Sequence, residues 1–321
     1  MALYVVRRLL QAIPLLVGIS FAGFVLLRLA PGGPMAVYAQ NPNMSEADMR
    51  RIERILGLDQ PVHVQYLKWA AGMAAGELGY SYRTGRPVGE IIRERVPATL
   101  QLMGVAYLIA IALGLTTGIV SAVRRGSVFD YAATTAAMVG LSVPTFWFGL
   151  VVVIVFAGGL RWIPSGGIAT LGAPFSLWDR FIHLIGPAAV LGLWMTATWS
   201  RYTRSSVLEV VGQDYIRTAR AKGLPGRAVL LRHTLRNALI PLITLGGLEF
   251  RNLFGGALVT ETVFSWPGVG RLYLDSLNYQ DYSVILGLLL VTSVMVIAGS
   301  LLADVLYAVA DPRIRLGGEL R

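Results

Sequence analysis

Long apolar stretches constrain this chain more than any other feature of its sequence. Crossing about 30 Å of hydrocarbon takes roughly 20 apolar residues, because an α-helix rises about 1.5 Å per residue. Five runs of about this length or longer carry no charged residue: 9–27, 98–123, 131–160, 184–200 and 283–303. A sixth run, 238–260, is apolar except for Glu249 and Arg251. The runs predict an all-α polytopic membrane protein with six transmembrane helices.

The short loops between the runs predict the orientation of the helices. Lys and Arg accumulate on the cytoplasmic side of short loops. Here they occur before the run 9–27, between the runs 98–123 and 131–160, between the runs 184–200 and 238–260, and after the run 283–303. Both termini are therefore expected in the cytoplasm. The segment 31–97 is too long for the charge rule to apply, and it follows a single span, which places it outside.

This external segment, 31–97, is expected to contain short helices and no separate globular domain, so that residues 1–321 form one membrane domain. Ser45 is a candidate N-cap, acidic residues follow it, and Gly57 is a candidate stop. Together they predict a short amphipathic helix over 45–57.

Two further features flank the membrane runs. A second short helix is predicted over 88–95, directly before the second run. The aromatic residues Trp162, Phe264 and Trp266 occur near tight turns between runs. Since Trp and other aromatic side chains favour the membrane–water interface, these three are interpreted as interface anchors.

The segment 201–237 is the most basic stretch between two apolar runs. It contains eight basic residues against two acidic ones, and Gly223 and Pro225 interrupt it. Because Gly supplies a positive φ and Pro fixes its own φ, the segment is expected to form two short helices around a tight turn. From the residues alone, two interpretations are about equally supported. One is a coupling helix that contacts a soluble partner, and the other is an amphipathic helix that rests on anionic lipid.

Several chemistries are disfavoured by residues that the chain lacks. The net charge of +10 is spread over helix ends and loops rather than one soluble face, which argues against binding of nucleic acid. Neither Lys68 nor Lys222 lies in a phosphate-binding loop, so this chain is not expected to bind ATP. Without cysteine, and without metal-ligand spacing among its three histidines, it is predicted to have no metal site, cofactor or catalytic residue.

Several motifs follow one another along the chain: RRLLQAIPLL, DYIRTARAKG, LRNALIP, GGALVTETVFSWPGVGRL and DVLYAVADPRIR. In this order, and over nearly the full length, they resemble permease subunits of the oligopeptide, dipeptide and nickel ABC importer family. Arg217, Thr218 and Ala219 stand where the general coupling motif of such permeases has Glu-Ala-Ala. The resemblance implies a type I permease fold with a cytoplasmic coupling segment over 201–237. The residues it implies for ATPase coupling are Arg217, Thr218, Ala219, Ala221, Lys222 and Gly223.

The resemblance also implies partners and a location. The expected partners are a second homologous permease subunit in a heterodimer, one or two ATP-binding subunits, an external substrate-binding protein and the lipid bilayer of the plasma or inner membrane. Di- or oligopeptides are the leading substrate class, with nickel chelates, glutathione and sugars as alternatives. A secondary transporter or channel without an ATPase, and an accessory membrane scaffold, are the alternative functions.

Candidate pathway residues lie within the sixth run. Glu249 and Arg251 are charged residues inside an apolar span, a position that is costly unless they line a wet cavity or pair within the bundle. With the neighbouring Asn252 they are the predicted translocation-pathway residues. The family usually has a neutral residue where Arg251 stands. Two interpretations of Arg251 remain open, one in which it lines the pathway and one in which it pairs with the partner permease. The segment 264–270 has an alternative interpretation as well, in which it caps the pathway from outside where a binding protein would dock.

Overall fold

The computed structural model describes residues 2–29, 33–35, 44–55, 57–250 and 257–310. These residues form helices and turns, with one isolated β-bridge between Tyr80 and Pro87. The helices in chain order are α1 (Ala2–Leu29), α2 (Glu46–Ile55), α3 (Val62–Ala74), α4 (Val88–Val123), α5 (Val128–Ser142), α6 (Thr145–Val152), α7 (Leu177–Val211), α8 (Asp214–Ala221), α9 (Gly226–Ala228), α10 (Leu235–Ala238), α11 (Ile240–Phe250), α12 (Leu258–Val263), α13 (Val269–Asn278) and α14 (Tyr282–Ala310).

Three shorter pieces complete the described backbone. Gly33–Met35 is a 3₁₀ turn. A π-helical stretch, Val153–Gly159, continues α6. A second π-helical stretch, Val229–Thr234, joins α9 to α10, so that residues 226–238 form one helical arm.

The all-helical membrane architecture predicted from the apolar runs is confirmed. Four helices in the described part of the chain are long and apolar enough to cross a membrane: Val6–Leu29, Val88–Val123, Leu177–Val211 and Tyr282–Asp304. The bent pair formed by Val128–Ser142 and Thr145–Gly159 makes a fifth candidate span. The sixth predicted span is described only as far as the end of α11, so the count of six stays a prediction.

The expected boundary before the second run is wrong. No separate helix ends near residue 95, because α4 continues without a break from Val88 to Val123 and passes through Pro97. A proline inside a helix removes one backbone hydrogen bond. Packing maintains the first turns of the helix, since Val88 and Ile92 are buried against Val284 and neighbouring residues of α14.

The third run does not form one straight helix. Its two halves, α5 and α6, meet at an angle of 101°. Val143 has an extended backbone with ψ 124°, and Pro144 follows it. Since proline disfavours the helical conformation at the residue before it, and Val143 is extended here, the Val143-Pro144 pair accounts for the break.

The core of the fold lies between α4 and α7, which pack along most of their length. Glycines make this close approach possible, as small residues do in many membrane helix pairs. A side chain at Gly114 would overlap the Cβ atom of Trp199, and a Cβ at Gly118 would lie 2.6 Å from that of Thr203. The α4–α7 pair therefore forms a rigid column that links the two ends of the molecule.

The segment after α1 contains one helix that the sequence predicts and one that it does not. α2 begins after Ser45, whose hydroxyl accepts a hydrogen bond from the Asp48 backbone N–H at 3.2 Å, and Gly57 follows with φ +64°. The unpredicted helix α3 packs on α1 through aromatic contacts. The ring of Tyr66 lies 5.2 Å from that of Phe21.

Candidate functional site

The basic segment folds into two helical pieces around a tight turn, as predicted. α8 presents Ile216 and Ala219, three residues apart, on one face, and both are buried. They pack against Val229 on the returning arm and against Val210 near the end of α7. The segment is therefore held to the rest of the chain by a small apolar cluster.

The opposite face of α8 carries most of the predicted coupling residues. Arg217, Thr218 and Ala221 are exposed, and Lys222 and Gly223 follow them at the surface. An ion pair at 3.3 Å joins Arg217 to Asp214, but both side chains are largely in solvent, so the pair contributes little stability. This set of five residues is called the coupling face below.

Ala219, the sixth predicted coupling residue, does not belong to this face. The resemblance places it among the residues for ATPase coupling, whereas in the structure its side chain packs inside the chain and is 6% exposed. The physical reason is the helical repeat, because a residue three positions after buried Ile216 returns to the same side of α8.

The turn after α8 depends on the backbone of Gly223. Its φ is +76°, and a Cβ built at this position would meet no atom within 4 Å. Space is therefore available for a side chain, but the left-handed backbone conformation favours glycine. The turn also receives a hydrogen bond from the Gly223 N–H to the Arg220 carbonyl at 2.9 Å.

Two polar contacts and a small core join the returning arm to α8 and to the spans α4 and α7. Ser206 Oγ on α7 donates to the Ala238 carbonyl at 2.7 Å. Asn237 Nδ2 donates to the hydroxyl of Tyr215 on α8 at 3.1 Å. Ala238 is buried in a cluster that also includes residues of α4 and α7. These contacts connect α8 and the returning arm to the α4–α7 column.

An ion pair at the same end of the molecule was not anticipated from the sequence. Arg204 on α7 donates to Asp130 on α5 through two hydrogen bonds, from Nε at 2.6 Å and from Nη2 at 2.8 Å. The Gly126 N–H donates to the same carboxylate at 3.0 Å. Asp130 is 3% exposed, so this pair fixes the α4–α5 turn against α7.

Of the predicted pathway residues, the structure describes Glu249. The hydroxyl of Tyr107 on α4 donates to the Glu249 backbone carbonyl at 2.6 Å and lies 3.2 Å from its carboxylate. Glu249 is half-buried on α11, while Tyr107 is buried in the core. Arg251 and Asn252 lie outside the described residues.

At the far end of α4 the structure contains a buried polar cluster around Glu261, called the Glu261 cap below. Glu261 is completely buried. Its carboxylate accepts hydrogen bonds from Thr99 Oγ1 at 2.7 Å and from the Arg271 backbone N–H at 2.9 Å. Thr99 Oγ1 in turn accepts from the Val269 N–H at 2.8 Å. These contacts tie α12 and the start of α13 to α4.

Two of the three aromatic residues interpreted as interface anchors belong to this cap instead. Phe264 and Trp266 are 1% and 0% exposed, so that interpretation is wrong for both. Ser265 between them has φ +49°, which turns the chain back. Trp266 Nε1 then donates to the Ala98 carbonyl on α4 at 2.8 Å. Trp162 remains exposed.

Residues 114–316 match the family model described as a binding-protein-dependent transport system inner membrane component. Residues 1–103 match the model for the N-terminal part of such components. The chain belongs to this family. It is 46% identical over 315 residues to an oligopeptide transport system permease protein of Bacillus subtilis. The alignment covers 98% of this chain and 99% of the relative.

Two other relatives of this inner membrane component also match it over nearly the full length of both chains. A putative peptide permease protein of Brucella suis is 44% identical over 316 residues, covering 98% of this chain and 99% of the relative. A dipeptide transport system permease protein of Escherichia coli K12 is 39% identical over 333 residues, covering 97% and 98%. The resemblance inferred from the ordered motifs is confirmed over the whole chain.

The two family models divide this membrane component within α4. The N-terminal model includes α2 and α3, while the second model includes the basic segment and the Glu261 cap. Asp130, Tyr107 and Glu261 are the residues near these sites that sequence reasoning missed. Glu261 directly follows the end of the sixth run at residue 260, so a search for acidic residues at span ends would have found it.

Proposed function

We propose that this chain is the permease subunit of an ATP-driven importer of di- and oligopeptides and forms half of the translocation pathway. The observation that carries the proposal is its full-length similarity to permease proteins of oligopeptide and dipeptide transport systems, at 46% and 39% identity. The inferred partners are a second homologous permease subunit, one or two ATP-binding subunits and an external substrate-binding protein. In this arrangement both termini lie in the cytoplasm.

The coupling face is the proposed contact with an ATP-binding subunit. Its basic residues favour an acidic groove on that subunit, because complementary charge steers association and fixes orientation. The small side chain of Ala221 and the bare backbone of Gly223 allow close approach. Ala219 has a different role in this proposal, since it packs α8 onto its own chain.

Movement of the ATP-binding subunits would reach the membrane through the contacts beneath α8. The apolar cluster of Ile216, Ala219 and Val229 joins α8 to the returning arm. The hydrogen bond from Ser206 to Ala238 joins that arm to α7. Because interfaces of this kind move as packed units rather than deforming continuously, a push on α8 is passed to the helix bundle.

The chain itself is proposed to be non-catalytic. Its lysines, Lys68 and Lys222, lie outside any glycine-rich phosphate-binding loop. Hydrolysis of ATP is therefore assigned to the partner subunits. Purified alone, the chain should show no saturable ATP binding. The ATPase activity of the assembled complex should rise when substrate-loaded binding protein is added.

The proposed pathway includes Glu249, Arg251 and Asn252. Charged groups within a span are tolerated where they line a wet cavity. Arg251 is proposed to attract the carboxylate of a peptide. Arg251→Gln should then lower uptake of peptides with a free carboxylate more than uptake of C-terminally amidated ones, at equal complex abundance. Loss of assembly with the partner permease would instead assign Arg251 to the subunit interface.

The coupling proposal is tested by site-directed cross-linking, for which the absence of cysteine from the chain is convenient. A single cysteine at Ala221, on the coupling face, is labelled with a photoreactive maleimide in the assembled complex. Light should then join the chain to the ATP-binding subunit. The matched control is Ile216→Cys on the buried face of the same helix, which should give little labelling.

The outcome is scored as cross-linked ATP-binding subunit per labelled cysteine. ATP and vanadate should change the yield at Ala221→Cys, because the ATP-binding subunits change conformation during hydrolysis. Lipid adducts without any cross-linked subunit at Ala221→Cys would contradict the coupling face and favour a helix resting on the membrane surface.

A further inference from the structure

A cavity of about 220 Å³ lies where α1 ends, between that helix, α3 and the first turns of α14. Apolar side chains of Phe24 and Leu27 on α1 and of Leu286 on α14 line it. Arg28 and Lys68 line the same cavity. A space lined by apolar side chains and by two cationic groups fits a molecule that has an apolar part and an anionic part.

The two cations are not neutralised by the part of the chain that the structure describes. Arg28 Nη2 donates to the Leu58 carbonyl at 3.2 Å, and no described carboxylate lies within ion-pair distance of it. Lys68 forms neither a hydrogen bond nor an ion pair with any described residue. The nearby carboxylate of Asp281 is buried and accepts its hydrogen bonds from Ser81 and two backbone N–H groups.

The cavity lies at the level where two membrane spans end. The apolar span of α1 ends at Leu29, one residue beyond Arg28, and that of α14 begins at Tyr282. Tyr66 and Trp69 of α3 pack against Phe24 beside the cavity. Tyr and Trp are enriched at the headgroup level of membranes, and a Lys or Arg near a span end extends its charge to the same level.

We propose that this cavity binds the phosphate-bearing headgroup of an anionic phospholipid from the surrounding bilayer. Arg28 and Lys68 contact the phosphate, while Phe24, Leu27 and Leu286 contact the beginning of the acyl chains. The cavity is large enough for a headgroup but not for the acyl chains, which extend along α1 and α14 into the hydrocarbon. The site itself requires no particular substrate, and only its assignment to the outer leaflet rests on the orientation proposed above.

The test is a lipid titration of the detergent-purified complex that contains this chain, followed by native mass spectrometry. Phosphatidylglycerol and phosphatidylcholine with identical acyl chains are compared. The variants are Lys68→Gln and the double variant Arg28→Gln with Lys68→Gln. Arg51→Gln is the matched control, because Arg51 is an exposed cation in the same external segment that does not line the cavity.

The wild-type complex should retain one phosphatidylglycerol more tightly than phosphatidylcholine. Removing both charges should raise the concentration needed for this binding by roughly tenfold or more, since each basic residue near an anionic headgroup adds to the attraction. Lys68→Gln should give a smaller increase in the same direction, and Arg51→Gln none. Lys68→Gln is the variant that protects the test against misfolding, because Lys68 has no polar contact with the described residues.

Three results would overturn the proposal. One is equal phosphatidylglycerol binding by the wild type and both cavity variants. Another is an equal loss in Arg51→Gln, which would indicate a diffuse effect of charge. The third is unchanged lipid binding by Lys68→Gln together with weaker stimulation by the binding protein, which would assign the cations to a protein partner. If the complex retains phosphatidylglycerol as expected but does not import peptides, only the proposed function is contradicted and the lipid site stands.

Discussion

The two ends of the α4–α7 column are built in opposite ways. At one end, the coupling face exposes its charged side chains, and the helix that carries them is held by a small apolar cluster. At the other end, the Glu261 cap buries its polar groups completely and satisfies them with hydrogen bonds. The exposed groups suit the proposed contact with an ATP-binding subunit, whereas the buried, hydrogen-bonded groups of the Glu261 cap hold helices in place.

The contrast predicts that substitutions in the cap change stability, while substitutions on the coupling face change transport at nearly constant stability. The expected losses of folding free energy range from large in the cap to almost none on the coupling face. Each is measured on the detergent-purified complex as a thermal midpoint and in vesicles as uptake per folded complex. Comparing the two measurements separates a structural role from a coupling role.

The largest loss of stability is expected for Glu261→Ala. It removes the acceptor for Thr99 and for the Arg271 N–H, and buried donors without a partner cost about 1–3 kcal/mol each. The thermal midpoint should fall strongly and little folded complex should be recovered. Glu261→Gln is the control, because its amide oxygen still accepts one of the hydrogen bonds, and it should lie between the wild type and Glu261→Ala. A wild-type midpoint for Glu261→Ala would contradict the structural role of the cap.

Asp130→Ala should give the next largest loss. It leaves Arg204 without its bidentate partner in a site where the carboxylate is 3% exposed, and breaking a buried ion pair costs about 3–5 kcal/mol. The loss of folding free energy for Asp130→Ala should be about 3 kcal/mol or less, because the side chain of Arg204 is 30% exposed and can reach water.

Both the thermal midpoint and uptake should fall, since the pair connects α5 to the helix that leads into the basic segment. The double variant Asp130→Ala with Arg204→Ala is the control, and it should recover part of the lost stability. If the double variant is as unstable as the sum of both single variants, the two residues act independently.

Periodicity and local chemistry predicted much of this fold from sequence. The charge-free runs located the membrane helices, and Ser45 and Gly57 predicted both ends of α2. The ordered motifs identified the family, and Gly223 predicted the turn after α8. These features depend on short-range backbone preferences and on burial in lipid, which a single sequence displays directly.

The errors have a common cause, which is tertiary packing. Ala219 is on the buried side of α8 rather than on its exposed side. The cluster with Val229 that buries it forms only when the arm folds back. Trp266 is buried because Ala98, 168 residues earlier, accepts its hydrogen bond. No local sequence pattern can show a contact between residues 168 positions apart. The same holds for the pairing of Asp130 with Arg204.

Gly223→Asp is expected to lower stability by only about 1 kcal/mol while abolishing uptake. The cost comes from placing a residue with a Cβ at φ +76°, a conformation that Asp tolerates better than most. The new carboxylate also repels an acidic partner groove. Gly223→Asn is the matched control, since it has the same shape and backbone preference without the charge, and it should retain more uptake.

Ala219→Glu places the same kind of charge at a buried position of the segment, and it should lower stability as well as uptake. Its carboxylate would be placed against Val229 and Val210 inside the chain, so the thermal midpoint should fall together with uptake. Equal stability of Ala219→Glu and the wild type would contradict the buried position of Ala219.

The smallest change in stability is expected for Arg217→Gln combined with Lys222→Gln. Both side chains are exposed, and the ion pair of Arg217 with Asp214 lies in solvent. The free energy of unfolding should therefore change by no more than an ordinary surface substitution causes, about 0.5 kcal/mol, and the thermal midpoint should barely move. Uptake should nevertheless fall several-fold, because two charges facing an acidic groove are lost. Uptake by the wild type should fall as ionic strength rises, while uptake by the double variant changes less, since screening acts on charges that are still present. The matched control is Arg50→Gln with Arg54→Gln on α2, which removes the same charge from exposed positions in the external segment. If this control lowers uptake as much as the double variant on α8, net charge rather than the coupling face determines activity, and the contrast between the two ends of the column fails.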